Sequence, residues 1–129
     1  MSGLMFPTSQ DIYIEINGRR LAVVEGYKAQ SSQSSKYIEA FGESQPVGTI
    51  PGRITHILQL SRICVCVDVI EDNIDLYNLH NFNMVIVKPD RRIIYSGCEW
   101  VSIKESASLN DAVIENVELI ATKRMEVRS

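Results

Sequence analysis

The sequence predicts an all-β fold, a β-sandwich or barrel of about seven or eight strands with one short flanking α-helix. Three observations carry this prediction. Short apolar runs alternate with polar residues along most of the chain, turn residues separate these runs at regular intervals, and only one stretch has helical spacing. A chain of 129 residues fits one domain, so a single domain is predicted over residues 1–129.

The first hairpin has the clearest local signal. Residues 12–16 alternate Ile with Tyr and Glu, Asn17-Gly18 follows directly, and an apolar pattern resumes over residues 19–24. A type I′ turn needs positive φ at both central residues, and Asn-Gly meets that need at little steric cost. The pattern therefore predicts two antiparallel strands joined by a two-residue turn.

The polar run Gly26–Ser35 has two interpretations. It is either a flexible loop or linker, or a polar strand or hairpin that faces water or a neighbouring subunit. Residues 36–41 alternate again, and residues 42–52 are rich in Gly and Pro, which predicts turns.

Residues 53–67 form the longest strand candidate. Ile54, Leu58 and Leu60 share one parity with His56. The other parity is mainly polar: Arg53, Thr55, Gln59 and Ser61. This alternation predicts one buried face and one wet face.

One helix is predicted, over Glu71–Asn81, with Asp72 as its N-cap and apolar residues at helical spacing. It is short, so its stability would depend on packing against a sheet.

The second half of the chain predicts four more strands, over residues 83–88, 92–96, 99–105 and 112–123. Gly97 separates two of them. Residues 1–10 and 125–129 are expected to be arms that become ordered only on assembly.

Composition excludes some classes of function. The 13 basic and 16 acidic residues give a net charge of −3, which argues against nucleic acid as the main partner. No run of 18 to 20 apolar residues is present, so no membrane partner is predicted. No secretory signal is recognisable at the start, and an odd count of three cysteines fits reduced thiols in a cytoplasmic compartment.

The candidates for metal binding are weak. Cys64 and Cys66 would share a strand face and could bind a metal with His56 or His80, but the second pair of ligands expected for zinc is missing. We therefore predict free thiols at Cys64, Cys66 and Cys98, and a hydrogen-bonded core or interface role for His56.

No catalytic motif is present, so no catalytic, cofactor-binding or metal-binding residue is predicted, no cofactor is expected, and the protein is not expected to be an enzyme. Lys88, Arg91 and Arg92 form a basic cluster, which we interpret as a solvated hairpin tip. Arg53 is expected at the surface or an interface, and Trp100 in the core.

A set of stretches spread over nearly the whole chain resembles the tail-tube-like proteins of contractile bacteriophages and of phage-tail-like bacteriocins. The stretches are Ile12–Gly18, Leu21–Val24, Tyr37–Gly48, Ile54–Arg62, Val87–Cys98 and Glu115–Met125. The resemblance implies a β-sandwich or barrel with one flanking helix, assembled into a six-membered ring. Within that group the chain is more similar to a tube initiator or baseplate-proximal ring protein than to a major tube protein.

The resemblance also implies partners and a location. The partners would be copies of the chain itself and neighbouring tube, sheath or baseplate proteins, and DNA could pass through the lumen without specific binding. The protein would be made in the bacterial cytoplasm and become part of a virion tail or of a released phage-tail-like particle. No catalytic residues are implied, because the group is structural.

Elementary physics supports a ring. Long strands in a small domain leave edges that invite pairing with another chain, and a contact between unlike surfaces closes into a ring when the rotation fits. Gln30–Ser35 would then extend over a neighbour, and a polar, acidic lumen wall would let DNA slide.

Two alternatives remain open. A monomeric β-barrel binding module for single-stranded nucleic acid or a small ligand would require a basic groove with exposed aromatic residues. A small enzyme would require a cleft with convergent polar groups.

Overall fold

A computed structural model describes residues 12–72, 74–107 and 112–128. Nine strands make up most of it: β1 (Ile12–Ile16), β2 (Arg19–Gln33), β3 (Lys36–Ile38), β4 (Gly48–Ile50), β5 (Ile54–Val65), β6 (Phe82–Val87), β7 (Arg91–Ala107), β8 (Ala112–Ala121) and β9 (Lys123–Arg128). A short helix α1 (Val67–Glu71) and a single 3-10 turn (Leu76–Asn78) lie between β5 and β6. The predicted all-β class is confirmed.

Seven strands form one antiparallel sheet in the order β6-β1-β2-β5-β8-β7-β9. Strand β6 also pairs with β7, so six of the strands close into a barrel. The remaining strands, β3 and β4, pair only with each other and form a separate hairpin between β2 and β5.

The long strands β2 and β7 each take part in two different regions. The start of β2 pairs with β1, whereas residues 26–33 pair only with β5. The start of β7 lies between β6 and β9, whereas residues 99–107 pair only with β8. We call the four segments β2 (26–33), β5, β8 and β7 (99–107) the open sheet.

Gly97 marks the change of region within β7. Its φ is +64°, and a Cβ added there would meet Thr122 Oγ1 at 2.1 Å, so only glycine fits. Thr122 Oγ1 donates to the carbonyl oxygen of Ser96 at 3.2 Å, which fixes the junction between β8 and β9. The two strands predicted on either side of Gly97 are therefore one 17-residue strand.

The core lies inside the barrel. It is formed by apolar side chains that alternate along the paired strands, and the largest fully buried ones are Phe82, Ile14, Leu58, Leu60, Met84 and Leu119. Burying such side chains is the dominant stabilising term of the fold.

The first hairpin is confirmed. Ile16 pairs with Arg19, and Asn17 and Gly18 have φ values of +51° and +82°. Both central residues therefore have the positive φ that a type I′ turn requires.

The two interpretations of the polar run Gly26–Ser35 are also resolved. Residues 26–33 belong to β2 and pair with β5, so the strand interpretation is confirmed and the linker interpretation is wrong.

The predicted long strand over residues 53–67 is confirmed as β5, and His56, Leu58 and Leu60 are buried. Two details differ. Ile54 is exposed, because it lies at the end of the sheet. Arg62 has a φ of +54°, and the side-chain parity shifts there, so Ile63 is buried instead.

The predicted helix Glu71–Asn81 is wrong. Helix α1 ends at Glu71, and Asp72 is its C-cap instead of an N-cap. Asp75 then caps the 3-10 turn by accepting a hydrogen bond from the Tyr77 backbone at 3.2 Å. Leu76 and Leu79 are buried in the core cluster, but the chain between α1 and the 3-10 turn is not helical.

At the chain ends, the predicted arm 1–10 lies outside the described residues. Residues 125–128 of the predicted C-terminal arm are the last four residues of β9 and pair with β7.

Candidate assembly interface

Two strand edges of the open sheet have no strand partner among the described residues. One is the outer edge of β2 (26–33), and the other is the outer edge of β7 (99–107). They lie at opposite sides of the sheet, and because all its pairings are antiparallel, the two edge strands run in opposite directions. Unpaired backbone groups of this kind are ready to pair with another chain.

The open sheet has one face on the core and one face in solvent. Side chains of directly paired residues share a face. The buried face carries Leu58 and Leu119, whereas the exposed face carries the register row Lys28, Gln59, Glu118 and Ser102.

The rest of the exposed face is mainly small and polar. Its members are Gln30, Ser32, Thr55, Ser61, Asn116 and Lys104, together with Ile57 and Ile120. Both signs of charge occur on it, with Lys28 and Lys104 beside Glu118.

The hairpin formed by β3 and β4 leaves the end of the open sheet and exposes apolar side chains. Its connecting loop contains a tight turn in which the Glu43 N–H donates to the carbonyl oxygen of Ala40 at 3.1 Å. Gly42 has a φ of +88°, which suits the third position of a type II turn. Phe41, the residue before it, is fully exposed, and Tyr37 is 70% exposed.

Strand β9 forms a second exposed surface. All six of its residues are exposed, and it carries Lys123, Arg124 and Arg128 against a single acidic residue, Glu126. Arg124 Nη2 contacts Glu126 Oε1 at 2.9 Å, and this hydrogen bond is the main reason why the pKa of Glu126 is lowered.

His56 has the hydrogen-bonded core role that the sequence predicts. It is buried, its Nδ1 lies 2.7 Å from Ser31 Oγ, and its ring meets the ring of Tyr95 edge-on at 5.8 Å. An open groove beside it is lined by Ser31, Ile54, His56, Thr122, Lys123 and Arg124.

The cysteines are free thiols, as predicted. Cys64 is exposed on β5, but Cys66 lies beyond the end of that strand at the N-cap of α1. Cys98 is buried, and this desolvation raises its pKa to about 12. Among the described residues, no three metal-ligating side chains come together.

His80 is exposed, and it belongs to no cluster of three metal-ligating side chains in the part of the chain that the structure describes. Its Nδ1 lies 3.1 Å from Glu99 Oε1, and this contact is the main reason why the pKa of Glu99 is lowered.

The basic residues Lys88, Arg91 and Arg92 lie at the hairpin tip between β6 and β7, as predicted. The Lys88 N–H donates to the carbonyl oxygen of Arg91 at 2.8 Å and closes the turn. Arg91 pairs with Arg128 of β9, so the basic surface extends beyond the tip that the sequence indicates.

Trp100 packs against the core and is half-buried. Its Nε1 donates to the carbonyl oxygen of Tyr77 at 3.1 Å, and the two rings meet edge-on at 5.8 Å. The Tyr77 hydroxyl donates to Glu105, so the 3-10 turn is held on β7 at two points. We call these contacts, together with His80–Glu99, the side-chain latch.

Sequence reasoning predicts that open strand edges pair with another chain, but it does not identify which strands carry them, and it missed β9 as an exposed basic surface. Strand pairing is a tertiary property, so no local pattern indicates which edge stays open. The sequence does indicate an exposed apolar side chain in the hairpin loop. Phe41 lies next to a stretch rich in turn residues, where burial of an apolar side chain is not expected.

In the described ranges, no helix is long and apolar enough to cross a membrane. No protein-family model matches the chain, and no curated protein sequence matches it. Solved structures do match.

A chain from the virion of a native gene transfer agent particle superposes with a TM-score of 0.59 and 10% sequence identity, over 95% of this chain and 98% of that chain. A chain from an extracellular contractile injection system, the PVC sheath–tube complex in its extended state, superposes with a TM-score of 0.52 and 11% identity, over 98% of this chain and 95% of that chain. The chain shares its fold with subunits of these particles.

Proposed function

We propose that the protein is a structural subunit of a phage tail or of a phage-tail-like contractile particle. It assembles with its own copies into a ring, a hexamer, in the tail tube or at the tube–baseplate junction. The observation that carries this proposal is the pair of open edges at opposite sides of the open sheet.

The directions of the edge strands suit a ring. If β7 (99–107) of one copy lies beside β2 (26–33) of the next, the new pairing is antiparallel, like every other pairing in the sheet. The contact joins unlike edges, so it is heterologous and leaves one open edge at each end of the growing assembly. Closure into a ring pairs the last edges, which removes the aggregation hazard of an open sheet.

The exposed face of the open sheet would then line the lumen. Its small polar side chains offer few apolar contacts to a passing molecule. Lys28 and Lys104 are accompanied by Glu118, so the wall has no large single-sign charge that would hold phosphate groups. This fits passage of DNA through the lumen without specific binding.

The fold similarity supports this role, because the matched chains come from a gene transfer agent virion and from the sheath–tube complex of a contractile injection system. A binding-module function gains no such support. The exposed face of the open sheet carries no aromatic side chain among its described residues, whereas faces that bind single-stranded nucleic acid use aromatic rings as stacking platforms.

A proline substitution tests edge pairing directly. The Ser34 N–H donates to the carbonyl oxygen of Arg53. Because antiparallel ladders alternate, the N–H of Ala29 then points away from β5, toward the open edge. Ala29→Pro removes that donor while keeping the β2–β5 hydrogen bonds, and prolines are tolerated on strand edges.

We expect Ala29→Pro to lower assembly at least about fivefold, because one lost interface hydrogen bond costs roughly 1–3 kcal/mol. Ala29→Thr is the matched control, since it changes the side chain but keeps the N–H. The measurement is mass by light scattering over a concentration series. Equal assembly of the two variants would contradict pairing through β2.

A further inference from the structure

The open edge of β2 begins where β1 ends. Residues 22–24 of β2 pair with β1 on one edge and with β5 on the other, and the last pair with β1 joins Ile12 to Val24. Beyond it, the edge that β1 occupied has no strand partner over residues 26–33 among the described residues. Every residue from Lys28 to Gln33 is exposed. A continuation of β1 before Ile12 would therefore run along this open edge.

The chain before Ile12 matches the edge in length and in character. We call residues 1–11 the N-terminal segment. Its eleven residues exceed the eight of the edge segment 26–33, and none of residues 1–10 has a charged side chain. It contains the apolar residues Leu4, Met5 and Phe6 in succession. The segment is thus long enough to cover the edge, and covering an edge is a common way of protecting it.

Side-chain faces determine the register of such a pairing. Ile12 and Ile14 are buried, as is Val24, so their side chains face the core. Ala29 pairs with the buried Leu58, so its side chain is on the core face too, and β2 changes parity between residues 24 and 29. A strictly alternating extension of β1 keeps its core face only by slipping one position there. This slip places residues 4–10 beside residues 27–33, in antiparallel order.

In that register the apolar side chains meet a groove. Phe6 lies beside Ser31, and Leu4 lies one pair further along on the same face. Ser31 pairs with His56, and both line the open groove together with Ile54, which is 52% exposed. Side chains of directly paired residues share a face, so Phe6 and Leu4 would cover this groove.

The same register suits Pro7. The N–H of Ala29 points to the open edge, so Thr8, opposite Ala29, is in a hydrogen-bonded pair and Pro7 faces away from β2. The missing N–H of Pro7 then removes no bond to β2, and a proline on an outer edge opposes further strand pairing. Without the slip, Pro7 would lie opposite Ala29 and one bond would be lost. The core face and the proline therefore select the same register.

We propose that residues 4–10 form an edge strand on β2 (26–33) in the free subunit, with Phe6 and Leu4 over the groove beside His56. The pairing is a property of a single chain and does not require a ring. Its consequence for assembly rests on the ring proposed above, because β7 of the neighbouring copy needs the same edge and has to displace the segment. The N-terminal segment thus protects the free subunit from uncontrolled edge pairing.

Amide hydrogen exchange of the dilute, monomeric protein tests the pairing directly. The N–H groups of Ala29 and Ser31 point to the open edge, whereas those of Gln30 and Ser32 point to β5. We expect the covering strand to slow exchange at Ala29 and Ser31 at least about tenfold relative to an uncovered edge. Fast exchange at these two positions beside slow exchange at Gln30 and Ser32 would overturn the proposal.

Two neighbouring substitutions provide the uncovered edge and its control. Phe6→Ala removes the largest side chain on the core face and should restore fast exchange at Ala29 and Ser31. Met5→Ala is the matched control, because residue 5 has the opposite parity. Phe6→Ala should also lower the protein concentration for half-assembly about fivefold, since a larger fraction of subunits has a free edge. Identical exchange in the two variants would overturn the placement of Phe6.

A disulfide lock tests the displacement. Met5 lies opposite Ser32 in a non-hydrogen-bonded pair, where Cα atoms are about 4.5 Å apart, within the range for a disulfide. The oxidised double variant with Met5→Cys and Ser32→Cys should stay monomeric at concentrations at which its reduced form assembles. Met5→Cys alone is the control, because Cys64 is exposed. Failure of the disulfide to form would overturn the register, and assembly of the oxidised form would overturn the displacement.

The outcomes separate this inference from the ring proposal. Fast exchange at Ala29 in a wild type that assembles removes the covering strand and leaves the ring. Slow exchange in a protein that does not assemble, even as Phe6→Ala, leaves the strand and removes the ring. Ala29→Pro removes a hydrogen bond from the covered edge as well as from the ring. Its comparison with Ala29→Thr is therefore repeated in the Phe6→Ala background, where the edge is free before assembly.

Discussion

Within the single strand β2, residues 19–24 and residues 26–33 have different neighbours. In the first half Leu21, Ala22 and Val24 are buried, and residues 22–24 are paired on both sides, by β1 and by β5. In the second half every residue from Lys28 onward is exposed, and only β5 is paired with it.

Strand β7 is divided in the same way. Its start is paired with both β6 and β9, and its end, residues 99–107, is paired with β8 alone. One half of each long strand is thus paired on both edges within the subunit, and the other half leaves one edge without a strand partner among the described residues. Core positions therefore serve folding and the unpaired edges are left for assembly, so substitutions at the two kinds of position should have different effects.

The largest expected effect is in the barrel. Phe82 has no exposed surface, and Phe82→Ala should lower the free energy of unfolding by about 3–5 kcal/mol, since it removes buried surface and leaves a cavity. Ile120→Thr, on the exposed face of the open sheet, should change it by only about 0.5 kcal/mol. Urea denaturation measures both, and similar losses would remove the distinction between the two regions.

The next effect concerns the turn that starts the barrel. Gly18 has a φ of +82° with open space around it, so Gly18→Val is opposed by backbone strain alone. We expect a loss of about 1–3 kcal/mol in unfolding free energy, and impaired folding or assembly. Gly48→Ala is the control, because an added Cβ there would make an ordinary contact with Ile38 at 3.6 Å. Normal stability and assembly of Gly18→Val would contradict the assignment of the turn.

The smallest effect is a pH dependence of the side-chain latch. The contact with His80 lowers the pKa of Glu99, so its contribution is present above the usual carboxyl pKa of 4.5 and is lost as the pH falls through the lowered value. The hydrogen bond to Glu105 raises the pKa of Tyr77 above 10.0, so that contribution is present below pH 10 and is lost as the pH rises through the raised value.

Trp100 is the only tryptophan and contacts Tyr77, so its fluorescence reports on the latch. We expect an emission change at each end of the pH range. Glu99→Gln should reduce the acidic change and leave the alkaline one. An unaltered acidic change in this variant would show that Glu99 is not part of the latch.

The sequence predicts the parts of the fold that depend on local rules. Residues 12–24 combine strict alternation with Asn-Gly, and they form the predicted hairpin because nothing in the tertiary structure opposes it. The parity of Leu58 and Leu60 likewise places His56 in the core.

Prediction from sequence fails where tertiary contacts decide. Ile74 and Tyr77 have helical spacing, but in the predicted segment 71–81 the structure has only the last residue of α1 and the 3-10 turn Leu76–Asn78. The polar half of β2 lacks an apolar face, so sequence alone did not distinguish a strand from a loop there. The open edges depend on which strands pair, and no local pattern contains that information.

The first measurement is the mass of the purified wild-type protein in solution by light scattering, with negative-stain imaging of the same sample. It tests whether the chain assembles with its own copies into a ring. We predict closed rings of about six copies whose formation depends on concentration, as a heterologous interface closed by rotation requires. Single rings would favour a place at the tube–baseplate junction, and stacked rings a place in the tube. A strict monomer at every concentration, with both edges of the open sheet unpaired, would contradict self-assembly through these strands.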